Sequence, residues 1–232
     1  MRKTIGILWY HFVRVACGLF SRWWFKLTIQ GTENIPPEGG FVMITNHQSF
    51  LDPFICAYPL KRRFTFMARH TLYDRRLMGA FLRSLCAFPV RRGQADISTM
   101  KRVISRLRDG WPVLLFPEAT RTLDGRIKRL KPGFGLLCRR GKTAVIPGVI
   151  DGAYECWPKG RKLFKRGHIV FRIGEPISPE RVRELGDRGL AEELTQTLRR
   201  IQTEIRCDYH RSMLDYSEEP PEFSTAREDD AA

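Results

Sequence analysis

Short apolar runs alternate with longer helical stretches along most of the chain after Gly31. Six runs have the length and composition of buried strands: residues 41–45, 64–68, 88–91, 113–116, 144–150 and 169–173. Strands that alternate with helices are typical of a mainly parallel sheet covered by helices. The pattern therefore predicts an α/β fold, and it places candidate ligand-binding residues in the loops that follow the strands.

Two of the intervening stretches give the strongest helical patterns. Residues 95–109 carry apolar side chains at helical spacing, bases on the opposite face and Gly110 directly after them. Residues 179–213 predict a long charged helix with a break near 186–189, where two glycines interrupt it.

The N-terminal segment is apolar and aromatic but not continuous. His11, Arg14 and Arg22 interrupt residues 4–29 before about twenty uninterrupted apolar residues accumulate, so a simple membrane-spanning helix is not predicted. Tryptophans beside bases favour the headgroup level of an anionic bilayer, which predicts a helix or helical hairpin lying in the membrane interface. Two alternatives remain: a signal peptide, against which Arg14 argues, and a helix that covers the core.

These patterns divide the chain into three regions. Residues 1–30 form the N-terminal membrane-associating helical segment, and residues 31–215 form the main domain. Residues 216–232 are predicted to be an acidic disordered tail, because six acids, one base and two prolines follow residue 217.

The net charge of +15 predicts attraction to an anionic partner, which is a nucleic acid, an anionic membrane surface or a phosphorylated or CoA-like ligand. A non-catalytic basic binding protein is therefore an alternative. However, the aromatic residues concentrate at the N-terminus instead of interleaving with a basic face, so no nucleic acid is expected. The six cysteines show no zinc-ligand or disulfide spacing, which indicates reduced thiols in a cytoplasmic compartment and no metal site.

The first candidate for catalysis follows the strand at 41–45. Here His47 precedes Asp52 by five residues, and a turn can bring the imidazole to the carboxylate. A histidine held by a carboxylate is a general base, and a substrate hydroxyl can then be the nucleophile. The structural alternative is that Asp52, followed by Pro53, only begins a helix.

Two more strand ends carry candidate ligand-binding residues. Arg91 and Arg92 follow the run at 88–91, where an arginine fork can clamp a phosphate, although a solvated pair of bases is the alternative. Thr120 and Arg121 follow the run at 113–116 and can donate to phosphate oxygens. Glu118 cannot donate when ionised, so it is expected to orient an arginine or contact a substrate hydroxyl.

Four blocks together resemble the glycerolipid acyltransferase family. They are Asn-His-Gln-Ser-Phe-Leu-Asp at 46–52, Phe-Pro-Val-Arg-Arg-Gly at 88–93, Phe-Pro-Glu-Ala-Thr-Arg-Thr at 116–122 and Val-Ile-Pro-Gly-Val at 145–149, in the family's order. The resemblance covers residues 31–173. It implies that the domain at 31–215 transfers an acyl group from acyl-CoA or acyl-carrier protein to the hydroxyl of 1-acylglycerol-3-phosphate, giving phosphatidate.

The resemblance also implies a role for each matching residue. His47 matches the general base and Asp52 its charge partner, while Arg92, Glu118 and Arg121 match the acceptor-phosphate site. Ala119 stands where the family commonly has glycine. No bound cofactor is implied, because the thioester donor is a co-substrate.

Two further points follow from the family and the N-terminal pattern. The chain is expected to lie peripherally or monotopically on the cytoplasmic face of the membrane. Glycerol 3-phosphate, another lysophospholipid or a lyso-aminolipid remains open as the acceptor.

Overall fold

A computed structural model describes residues 2–90 and 97–217, which contain a seven-stranded sheet. The strands are β1 (Thr28–Gln30), β2 (Phe41–Thr45), β3 (Thr65–Arg69), β4 (Ala87–Val90), β5 (Val113–Leu115), β6 (Ala144–Asp151) and β7 (Val170–Ile173). Their order is β1-β7-β6-β2-β5-β3-β4, and every neighbouring pair is parallel except β6 and β7. The predicted α/β fold with a mainly parallel sheet is confirmed.

Helices cover both faces of this sheet. They are α1 (Arg2–Phe25), α2 (Asp52–Ala57), α3 (Arg76–Ser84), α4 (Ile97–Arg108), α5 (Gly135–Gly141), α6 (Ala153–Cys156) and α7 (Pro179–Asp208). Successive side chains of a strand point to opposite faces. Accordingly, Phe41 and Met43 of β2 join one core with α1, α2, α3 and α6, whereas Val42 and Ile44 join another with α4, α5 and α7.

The N-terminal segment is one helix, not a hairpin, and it has two apolar stripes. Tyr10, Val13 and Phe25 are buried in the core. Around the helix, an exposed stripe repeats at helical spacing, formed by Ile5, Leu8, Phe12, Leu19 and Trp23. Among the described residues, no helix is both long and apolar enough to cross a membrane.

Arg14 fixes α1 to the rest of the fold. Its Nη1 donates to the carbonyl oxygens of Tyr58 and Leu60, each at 2.8 Å, where α2 has just ended. Carbonyl groups at the end of a helix lack intrahelical donors, so a guanidinium there is stabilising. Gly18 packs so closely on Tyr58 that an added Cβ would lie 1.8 Å from its ring. Arg14 is therefore part of the packing and not of the basic surface.

Contacts of the main domain extend slightly past residues 31 and 215, the boundaries predicted from the sequence. Strand β1 lies within residues 1–30 and pairs with β7, so the sheet begins before residue 31. Near the other end, the Tyr216 hydroxyl contacts Gln202 and accepts from the N–H of Ile127 at 3.0 Å. The acidic region from residue 218 onward lies outside the described residues.

The long final helix bends where the glycine pattern predicts. In α7, Gly186 has φ 63° and ψ −172°, which is not helical and is a conformation that glycine adopts without a Cβ clash. The helix resumes beyond it and packs Leu190, Leu194 and Leu198 against the sheet.

Candidate active site

His47 and Asp52 meet at the carboxyl end of β2. The Nδ1 atom of His47 lies 2.7 Å from Oδ2 of Asp52, and the carboxylate is fully buried while the imidazole is 22% exposed. With Nδ1 directed at the carboxylate, Nε2 is the nitrogen left for a substrate proton. The pairing predicted from the five-residue spacing is present.

The turn between strand and helix is shaped around the Asp52 carboxylate. Its Oδ2 atom also accepts from the backbone N–H groups of Gln48 at 2.6 Å and Ser49 at 2.8 Å. Asp52 is the first residue of α2 and Pro53 follows it, as in the helix-start interpretation. The two interpretations of Asp52 are thus compatible, because one carboxylate closes the turn and holds the imidazole.

Phe116 fixes the plane of the imidazole. The two rings are stacked, with centroids 4.2 Å apart and planes 20° from parallel. Phe116 directly follows β5, the neighbour of β2 in the sheet. The first and third sequence blocks therefore meet at the histidine, as expected for the carboxyl ends of adjacent parallel strands.

Glu118 holds the backbone of the site. Its Oε1 accepts from the N–H of His47 at 2.8 Å, and its Oε2 accepts from the N–H of Lys128 at 3.2 Å. Burial raises the pKa of Glu118 to about 8, although both N–H donors oppose the shift. These contacts differ from the arginine or substrate hydroxyl expected from sequence, and the role of Glu118 in the acceptor site stays a prediction.

The raised pKa of Glu118 predicts a particular pH dependence of stability. A buried carboxyl that binds its proton more tightly in the folded state stabilises the fold at low pH, and this contribution is lost as the pH rises toward 8. Replacing Glu118 by glutamine removes this titration. From about pH 4.5 to about pH 7, the unfolding free energy of the wild type should fall by about 3 kcal/mol relative to the variant.

Urea unfolding at several pH values measures this difference. A destabilisation by the amide that does not depend on pH leaves the slope of unfolding free energy against pH unchanged. Glu192→Gln, at an exposed position of α7, is the control and should run parallel to the wild type. Parallel curves for Glu118→Gln would contradict the assigned titration.

The third block brings Arg121 beside the turn that bears His47. Its guanidinium carbon lies 3.7 Å from the centroid of the Phe50 ring, and the N–H of neighbouring Thr122 donates to the His47 carbonyl at 2.8 Å. Thr120 lies in the same turn and is half-buried. Ala119 has φ 61°, a conformation that favours glycine, which explains why the family commonly has glycine there.

Arg92 lies outside the described residues, as does Arg91. Strand β4 ends at Val90, on the edge of the sheet beside β3. The assignment of Arg92 to the acceptor-phosphate site therefore stays a prediction.

Two polar residues of the first block, Asn46 and Gln48, bind segments that are distant in the sequence, a role that sequence reasoning missed. Asn46 exchanges two 2.8 Å hydrogen bonds with the backbone of Ile150. Gln48 donates to the Gly125 carbonyl and accepts from two N–H groups at the start of α6, all at 3.1 Å. Their partners are distant in the sequence. The polarity of the motif was the only signal that these side chains would form hydrogen bonds.

A buried charge cluster at the end of β6 was also not predicted. Asp151 is fully buried and pairs with Arg206 at 2.9 Å and with Arg211. Gln202 donates to Asp151 and to the Gly125 carbonyl, both at 3.0 Å. The cluster thus connects the end of α7 to the loop that Gln48 also binds.

Known proteins with similar sequences are acyltransferases. A model of the family described as Acyltransferase matches residues 26–151. A 1-acyl-sn-glycerol-3-phosphate acyltransferase of Bacillus subtilis is 32% identical over 150 residues, which is 64% of this chain and 72% of the relative. A chloroplastic 1-acyl-sn-glycerol-3-phosphate acyltransferase of Arabidopsis thaliana is 28% identical over 173 residues, covering 72% of this chain but only 48% of its own length.

A solved structure has the same fold. The crystal structure of the 1-acyl-sn-glycerophosphate acyltransferase PlsC from Thermotoga maritima superposes with a TM-score of 0.76 at 23% identity. The match covers 89% of this chain and 84% of that one.

Proposed function

The chain belongs to the acyltransferase family, and from this membership we propose that it acylates 1-acylglycerol-3-phosphate to give phosphatidate. The family and enzyme class predicted from the four blocks are confirmed. The acceptor is proposed because several relatives carry the name of this activity. The observation that carries the mechanism is the 2.7 Å contact between His47 and Asp52 at the end of β2.

In the proposed reaction, Nε2 of His47 takes the proton of the acceptor hydroxyl as its oxygen attacks the thioester carbonyl carbon. Asp52 keeps Nδ1 protonated and stabilises the imidazolium that forms. When the tetrahedral intermediate collapses, the carbon–sulfur bond breaks and the thiol leaves with the proton from His47. Acyl-CoA or acyl-carrier protein supplies the acyl group, and the proposal includes no bound cofactor or metal.

The acceptor phosphate is assigned to Arg121, Thr120 and Arg92. Arg121 supports this assignment, because its turn is hydrogen-bonded to the backbone of His47. A guanidinium can bind a phosphate through two parallel hydrogen bonds and thereby orient the hydroxyl of the same molecule. Glu118 remains a candidate for this acceptor site, and its backbone contacts already position His47.

A panel of acceptors tests the proposed function. The purified chain is given a long-chain acyl-CoA and, separately, lysophosphatidate, glycerol 3-phosphate, lysophosphatidylcholine or monoacylglycerol in detergent, and acyl-carrier protein replaces CoA in a parallel series. We expect lysophosphatidate to give the highest kcat/KM. A higher value for another acceptor would assign the site to that acceptor and overturn the proposal.

Replacing Arg121 by alanine should lower kcat/KM for lysophosphatidate by about 10- to 100-fold, because a charge-assisted phosphate contact is lost. With monoacylglycerol, which has no phosphate, wild type and variant should have similar kcat/KM. Arg121→Lys retains the charge without the fork and should be intermediate.

Lys128→Ala serves as the matched control, since it removes an exposed base from the same loop. Equal losses on the acceptors with and without phosphate would show that Arg121 supports the fold of the turn instead of binding phosphate.

We also propose that the chain lies on the cytoplasmic face of a membrane through α1. Its exposed apolar stripe, with Trp23 65% exposed, has the composition of an interfacial helix. The lysolipid would then enter the site from the leaflet on which the helix lies.

A further inference from the structure

The loop between α6 and β7, residues 157–168, is rich in bases that have no part in the proposed active site. We call it the basic loop. It contains no acid and five bases, all exposed: Lys159, Arg161, Lys162, Lys165 and Arg166. Among these bases, Leu163 is 78% exposed. Like charges repel one another and exposed apolar groups are poorly hydrated, so this combination indicates a partner that is both anionic and partly apolar.

Aromatic packing fixes the basic loop beside the C-terminal end of α1. The Phe164 ring lies 5.8 Å from Phe20, 5.9 Å from Trp24 and 5.7 Å from Phe25, measured between ring centroids. The Arg166 guanidinium carbon lies 4.7 Å from the Trp24 ring centroid. The same guanidinium carbon lies 5.6 Å from the ring centroid of Trp23, so the loop lies next to the exposed apolar stripe of α1.

The basic loop also continues to the active site. Its first residue, Trp157, has its ring centroid 5.7 Å from that of Phe50. The Trp157 carbonyl accepts from the Ser49 hydroxyl at 3.0 Å. The Arg121 guanidinium in turn packs on the Phe50 ring. A series of contacts thus connects the loop, the end of α1 and the turn that bears His47.

We propose that the basic loop is a second membrane-docking element that binds the anionic phospholipid headgroups of one leaflet. Its bases contact headgroup phosphates, while Leu163 enters the boundary between headgroups and acyl chains. The loop and α1 together orient the chain so that the turn with Phe50 faces the bilayer. The inference rests on the proposed function, which supplies the lipid acceptor, and the exposed Leu163 and Trp23 favour a lipid over a nucleic acid.

Vesicle binding by the full chain tests this inference. The probes are vesicles of phosphatidylcholine with and without phosphatidylglycerol, and bound protein is measured by co-sedimentation. The double variant Lys159→Glu/Lys162→Glu should bind the anionic vesicles at least about tenfold more weakly than the wild type. Leu163→Ser should weaken binding about tenfold as well, because an apolar contact is lost.

The matched control is Lys101→Glu/Arg140→Glu, which changes the net charge equally. These two exposed bases lie on α4 and α5, which cover the opposite face of the sheet. Screening confines their influence to about 8 Å, so binding should change less than about threefold. Equal loss in the control and loop variants, or no loss in the loop variants, would overturn the inference.

Two further measurements separate this inference from the proposed function and from a general polyanion site. Loop variants should retain wild-type acyl transfer in neutral detergent while losing it on anionic vesicles. If the proposed acceptor is wrong, the wild type itself would fail to acylate it in detergent.

If Leu163→Ser leaves vesicle binding intact and the lysine variant equally loses binding to a single-stranded oligonucleotide, the partner is a polyanion and the inference fails.

Discussion

Replacing His47 by alanine should lower kcat for acyl transfer by about 10²- to 10⁴-fold, the range associated with loss of a positioned general base. The reason lies in the geometry, because His47 is the group that Asp52 and Phe116 hold in a fixed orientation. Folding should be preserved, since the ring is partly exposed. The backbone N–H of residue 47 would still donate to Glu118 in the variant. Initial rates with lysophosphatidate and acyl-CoA, compared after matched circular dichroism spectra, measure the effect.

His210→Ala provides the control, because it removes an exposed imidazole just beyond α7, outside the turn that bears His47. It should retain the wild-type rate. If His47→Ala and the wild type are equally active, the proposed proton transfer is wrong.

Replacing Asp151 by alanine lowers the free energy of unfolding by about 3–5 kcal/mol, as expected when one partner of a buried ion pair is removed. The variant leaves the guanidinium groups of Arg206 and Arg211 without the carboxylate that now pairs with both. Gln202 also loses one of its two acceptors. Urea unfolding followed by circular dichroism measures the change.

Arg183→Ala is the comparison for an exposed ion pair. Arg183 and Glu180 face each other at 3.8 Å with both side chains largely exposed, so the loss should stay below about 1 kcal/mol. An equally small loss for Asp151→Ala would mean that the cluster at the end of β6 does not contribute to stability.

Much of the fold could be predicted because its signals are local. The apolar runs at 41–45 and 144–150 became β2 and β6, and the glycines near 186 marked the bend in α7. Strand β1 was missed because three residues carry too little pattern, and its formation depends on pairing with β7, about 140 residues away. The antiparallel direction of β7 likewise depends on the path of the chain rather than on composition.

The contacts of the candidate site could also be predicted only in part. The contact between His47 and Asp52 could be predicted because five residues and one turn contain it. The partners of Glu118 could not, because one of them, the N–H of His47, is 71 residues away and every backbone N–H has the same chemistry. The partners of Arg14 could not be predicted either, because the carbonyl groups that it binds become available only where α2 ends beside it.

The two apolar stripes of α1 limit how far the chain can enter a lipid bilayer. Tyr10, Val13 and Phe25 remain on the protein core, so only the opposite half of a helix about 10–12 Å in diameter is available to lipid. On the proposed membrane surface, such a helix would be a shallow wedge that displaces headgroups in one leaflet and leaves the other leaflet undisturbed. On a membrane, the leaflet that receives the lipid product would therefore be the one whose area the enzyme has already expanded.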